Sequence, residues 1–123
     1  MSEFFALKTG SVRVSVDLVE PVIEVRFRKH LIDPHRTTWY IAESKDRREC
    51  LALFPNEVDD RESLDPTVDG YEVILYVARS PREAAIKRLI ATGTRFRFMQ
   101  NSDRLREFAD GVLAAKLGPP PPA

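Results

Sequence analysis

Tyr71-Glu72-Val73-Ile74-Leu75-Tyr76-Val77-Ala78, then Ser80-Pro81-Arg82-Glu83, then Thr94-Arg95-Phe96-Arg97-Phe98-Met99 decide the fold class of this chain. The first run is apolar on nearly both faces, as a central strand buried between two layers must be. The second is a helix start, with Ser80 as N-cap, Pro81 at the first helical position and Glu83 closing a capping box. Ile86, Leu89 and Ile90 then fall on one helical face, and Gly93 offers a left-handed C-cap over the end of a helix spanning 81–92. The third run alternates apolar and polar side chains, which is the pattern of a half-buried strand. Strand, helix and strand within about 30 residues have the spacing of a βαβ unit, for which a parallel crossover is favoured.

Working outward, residues 11–17 alternate strictly, with Val12, Val14 and Val16 on one face and Ser11, Arg13, Ser15 and Asp17 on the other, and read as a strand. After Glu20-Pro21, residues 23–28 alternate again, with Ile23, Val25 and Phe27 directed inward, so these two strands are expected to pair. Residues 37–42 are rich in β-branched and aromatic side chains, and the short charged connection 44–48 leads to another strand near 49–54. That connection is too short for a crossover and predicts a hairpin. Near the C-terminus Leu105, Phe108, Ala109, Val112 and Leu113 form the apolar stripe of a last helix, stopped by Gly118 and Pro119. The chain therefore reads as α+β. It predicts a mixed, mainly antiparallel six-stranded sheet, in the sequence order β-β-β-β-β-α-β-α, with two helices packed on one face. Residues 1–118 are expected to form a single domain and 119–123 a proline-rich tail.

Composition bounds the function. With 123 residues, 43% hydrophobic and 31% charged, the chain has the makings of one globular core. Cys50 is the only cysteine, so neither an internal disulfide nor a cysteine zinc cage forms within one chain, and its strand context predicts a small buried side chain. The N-terminal residues lack a basic region followed by a full apolar stretch, and no run approaches the ~18 apolar residues of a membrane span. A cytoplasmic location is expected.

The formal net charge is zero, with 19 basic and 19 acidic side chains. Glu57, Asp59, Asp60, Glu62, Asp65 and Asp69 concentrate acid in a long segment that predicts a surface loop. The tripeptide Arg-Phe-Arg occurs twice, at 26–28 and 95–97. In a strand it directs phenylalanine to one face and two guanidinium groups to the other. Arg13, Arg26, Arg28, Arg95 and Arg97 thus occupy outward positions and are the candidate binding residues, suited to an anionic ligand or protein partner through paired hydrogen bonds. The competing reading is ordinary cross-strand pairing with Asp17, Glu24 or Glu72.

Nucleic acid is the alternative ligand, contacted at phosphates through Arg26, Arg28, Arg95 and Arg97. Phe27, Phe96 and Phe98 are expected on the buried face, which leaves bases little to stack on. His30, Asp33 and His35 match no established metal spacing, and the acidic segment lacks an EF-hand pattern, so no metal is expected. There is no nucleophile elbow, phosphate-binding glycine loop or dinucleotide glycine pattern, and no cofactor is expected. The sequence favours a non-catalytic protein-interaction, adaptor or assembly domain that uses the arginine-bearing sheet face and the C-terminal amphipathic helix. Its expected partners are another protein or a second copy of itself.

Overall fold

The computed structural model describes residues 3–8, 10–32, 37–56, 71–99 and 103–119. These build a six-stranded sheet and three helices, an α+β fold. The elements are β1 (Glu3–Leu7), α1 (Val12–Ile23), β2 (Arg28–Ile32), β3 (Thr37–Glu43), β4 (Cys50–Pro55), β5 (Val73–Arg79), α2 (Glu83–Gly93), β6 (Arg97–Met99) and α3 (Asp103–Leu117). Strands lie in the order β2-β3-β4-β5-β1-β6, and every neighbouring pair is antiparallel.

The strand expected over residues 11–17 is helix α1. Alternating valines suggest a period of two, but over the full length Val12, Val16, Val19 and Ile23 recur at helical spacing, and the last three are buried. Ser11 caps the helix, its hydroxyl accepting from the Val14 amide at 3.1 Å. Packing of this face against the sheet overrides the β preference of valine. Val14, expected inward, is one of the most exposed large apolar residues. Pro21 stands inside the helix. Glu24, in the left-handed region at φ 55, ends it, and the Phe27 amide donates to the Glu20 carboxylate at 2.8 Å as the chain turns toward β2.

The strand expected over 23–28, and its pairing with 11–17, is also absent: Ile23 ends α1, residues 24–27 form the connection, and β2 begins only at Arg28, so Arg26 does not stand on a strand. The strand missing from 11–17 is supplied by β1, whose five residues are all buried. Phe4 and Ala6 enter one core, while Phe5 and Leu7 enter the other. A strand buried on both faces has no alternation to read. Its insertion between β5 and β6 also splits the expected βαβ unit: both strands are antiparallel to β1, so they run in the same direction without touching.

Helices cover both faces of the sheet rather than one. Leu105, Ala109 and Leu113 of α3 pack over Phe4, Trp39, Phe54 and Tyr76. Val16, Val19 and Ile23 of α1 join Ile86 and Ile90 of α2 over Leu51, Leu53, Leu75 and Val77. Under α3 the aromatic side chains stack across strands, Trp39 on Phe54 at 4.1 Å and Phe4 on Tyr76 at 4.5 Å between centroids. The Tyr76 hydroxyl donates to Asp110 on α3 at 2.6 Å, which satisfies the one polar atom of that layer's largest central-strand ring.

Two expected caps differ in detail. Helix α2 begins at Glu83 with Arg82 as N-cap, and the Ser80 hydroxyl instead accepts from the Arg82 amide at 3.1 Å while donating to Glu49 at 2.7 Å. Gly93 is not in a left-handed conformation. A Cβ placed there would meet Val22 Cγ1 at 2.8 Å, so the glycine permits close approach of α1 and α2.

Candidate functional site: a cationic corner of the sheet

The two Arg-Phe-Arg copies occupy opposite edges of the sheet, the first entering β2 and the second entering β6. Five inter-strand spacings separate those edges, roughly 24 Å. Antiparallel pairing also puts the start of β2 and the start of β6 at opposite ends of the strands, so the copies stand at diagonal corners. The five candidate arginines therefore form no common face. Arg13 lies apart from both corners on α1, exposed and bonded to Asp17 at 3.1 Å one turn along the helix.

At the β2 corner, Arg26, Arg28 and His30 line an open depression of about 420 Å³ with Ile41, Glu43, Ser44, Lys45, Arg47 and Leu117. The β3–β4 turn supplies the middle of this set. The Ser44 hydroxyl and the Arg48 amide both donate to Asp46, at 2.7 and 3.1 Å, and Arg47 takes the left-handed conformation at φ 62 that closes the turn. The Arg47 guanidinium is engaged through Nε and one terminal nitrogen. It donates to Glu43 at 3.2 Å and to the Leu117 and Pro119 carbonyls at 3.2 and 3.0 Å, and so caps the end of α3. Glu43 also accepts from Arg79 at 3.0 Å.

Arg26, Arg28 and Lys45 are different. Among the described residues none of them has a carboxylate within ion-pair distance. Partial burial holds the His30 imidazole below its usual pKa of 6.5, and the positive charges of Lys116 and Arg28 lower it further. The charge that perturbs His30 thus comes from β2 and from the last turn of α3. Sequence spacing brought Arg26 and Arg28 to attention. It gave no signal for Lys45 and Lys116, which reach the corner through a hairpin turn and a helix end.

At the other corner Lys8, Arg95 and Arg97 line a depression of about 760 Å³ with Leu7, Tyr71, Thr94 and Phe98. Phe96 is buried as expected and Phe27 is half-buried, but Phe98 is 50% exposed. Its ring meets Phe5 edge-on at 5.8 Å, and the Lys87 ammonium lies 4.2 Å above its centroid. On an edge strand a side chain of the buried set has a neighbour on one side only, which explains the exposure.

The remaining polar contacts read as structure. Burial raises the Cys50 thiol to about 11, far from a nucleophile's range. Among the described residues no three His, Cys, Asp or Glu side chains come together to hold a metal ion, and no helix is long and apolar enough to cross a membrane. Asp33, His35 and nearly all of the acidic segment lie outside the described residues. Each corner thus holds three cations without carboxylate partners among the described residues, and the β2 corner adjoins a five-residue edge strand whereas β6 has three residues. No family model matches the chain, and no curated protein or solved structure is significantly similar to it.

Proposed function

We propose that this chain is a non-catalytic protein-interaction domain, acting as an adaptor or assembly element, whose β2 corner binds an acidic surface of a partner protein. The observation that carries the reading is the set of cations at that corner, Arg26, Arg28 and Lys45, which lack carboxylate partners among the described residues. Lys116 adds its field from the end of α3. The neighbouring Arg47 and Arg79 are engaged by Glu43 and by backbone carbonyls and serve the fold, which leaves Arg26, Arg28 and Lys45 as the cations of this corner that meet a ligand. The apolar stripe of α3 serves the core, and the helix contributes to the surface through its last turn. Charged surfaces of this kind steer encounter and select partners more than they add raw affinity.

Nucleic acid is the second reading. The half-exposed Phe98 beside Arg97 gives it an aromatic surface at the β6 corner. Co-purification from the native host separates the two, using the parent chain, Arg26→Glu with Arg28→Glu, and Arg95→Glu with Arg97→Glu. A protein partner lost only with the first pair supports the proposal. Retention of every partner by a folded first variant sinks it. Binding to oligonucleotides that weakens steeply with salt and depends on the second pair favours phosphate recognition.

A further inference from the structure

We propose that the outer edge of β2 accepts an extended acidic segment of the partner as an added strand, with Arg26, Arg28, Lys29 and Lys45 facing its carboxylates and Leu31 meeting an apolar side chain. This rests on the reading of the β2 corner as the site for an acidic protein.

Among the described residues β2 pairs with β3 alone, so one side of its backbone presents unpaired amides and carbonyls over five residues. Such a row is a template for another strand. The side chains beside it alternate between the two faces of the sheet. Arg28 and His30 stand opposite Ile41 and Trp39, on the face covered by α3, while Lys29 and Leu31 stand opposite Tyr40 and Thr38, on the other. Cations therefore flank the edge on both faces. Leu31, 53% exposed, is the apolar exception.

The same charges decide what kind of chain fits. Edge-to-edge pairing of two copies through β2 would crowd the Arg28 and Lys29 side chains of both copies along one seam, and like charges brought together across a ladder destabilise it. A second copy is thus disfavoured at this edge. An extended polypeptide with acidic residues and at least one apolar side chain satisfies the backbone edge, the cations and Leu31 together. A phosphate backbone would meet only the cations. The opposite edge, β6, offers three residues and so a shorter template.

The test uses a labelled peptide of glutamate and valine, and the same peptide N-methylated at alternate amides, titrated against the whole chain. Strand addition predicts that N-methylation weakens binding about tenfold or more, roughly 1.4 kcal/mol, and that the peptide slows hydrogen exchange at alternate β2 amides. Arg26→Glu with Arg28→Glu should weaken the unmodified peptide by a similar factor. Equal binding of both peptides, without exchange protection, overturns strand addition while leaving the cationic corner intact. Unchanged binding to the folded charge-reversal variant overturns the underlying reading as well. Failure of the unmodified peptide to bind, or displacement of it by a single-stranded oligonucleotide without β2 protection, also overturns the proposal.

Discussion

Arg82 grips Glu49 at two points, with Nε and one terminal nitrogen each 2.9 Å from a different carboxylate oxygen, and the same guanidinium donates to the Ile23 carbonyl at 2.6 Å. One side chain thereby ties the end of α1, the residue preceding β4 and the entry to α2. Arg47 does the equivalent for α3, held by Glu43 at the far side of the same β3–β4 turn. Two helices on opposite faces of the sheet thus have their exposed carbonyls capped by arginines anchored on one hairpin. Cations at helix C-termini are favoured by the unsatisfied carbonyls and by the helix dipole.

Replacing Arg82 with alanine should destabilise the fold by about 1–2 kcal/mol, the range for charge-assisted hydrogen bonds discounted for a partly solvated pair. Lysine should not restore it, since it cannot make the two-point contact. Denaturant titration measures both. The Arg82 hydrogen bonds are the main cause that holds the Glu49 carboxyl below its usual 4.5, with Ser80 assisting against the effect of burial. A depressed folded value means that this stability is present above pH 4.5 and is lost as the pH falls through the lower folded value. Glu49→Gln should therefore flatten that part of the acid limb, and an unchanged limb would show the pair to be inert.

Gly93→Ala should destabilise through crowding between helices, because the new methyl would lie 2.8 Å from Val22 Cγ1. Valine has little freedom to rotate away, so a loss of roughly 1–2 kcal/mol is expected from overpacking. In a Val22→Ala background the same change should be neutral or stabilising, since alanine is the better helix former. Additive effects in the double-mutant cycle would rule out the contact as the cause.

Much of this fold was legible in the sequence, and the misses share a physical origin. α2 and the α3 stripe follow from helical periodicity because each presents one face to one core, whereas β3, β4 and β5 contribute side chains to both cores and were legible as β-branched, aromatic or continuously apolar runs. β1 is a run of only five residues without alternation, and α1 is written in valines, whose β preference is overridden by the environment of the helix. Those two elements determine the site. Without β1 between β5 and β6, nothing in the chain reveals that Arg97 and Arg28 end up on opposite edges. The arginines were readable as residues, whereas their grouping depended on topology.

Cys50 should resist thiol reagents in the folded protein. It is fully buried, and with its pKa near 11 only about one part in a thousand is thiolate at pH 8. Modification should proceed at the rate of unfolding and accelerate with denaturant. Rapid labelling of the native chain would show that β4 opens far more readily than its place in the sheet implies.

His30 reports on the cationic corner without any ligand. Burial, then Lys116, then Arg28, hold its folded pKa below 6.5, so the folded protein binds its proton less readily than the unfolded chain does. The linkage follows directly: the contribution of His30 is complete above pH 6.5 and is lost as the pH falls through the lower folded value. NMR titration of the imidazole should show the depressed value, and Lys116→Gln and Arg28→Gln should each move it upward toward 6.5. An acidic ligand at the corner should move it upward as well, because added negative charge favours the imidazolium. A His30 titration that ignores both substitutions would separate α3 and β2 electrostatically, and with them the cationic corner as a unit.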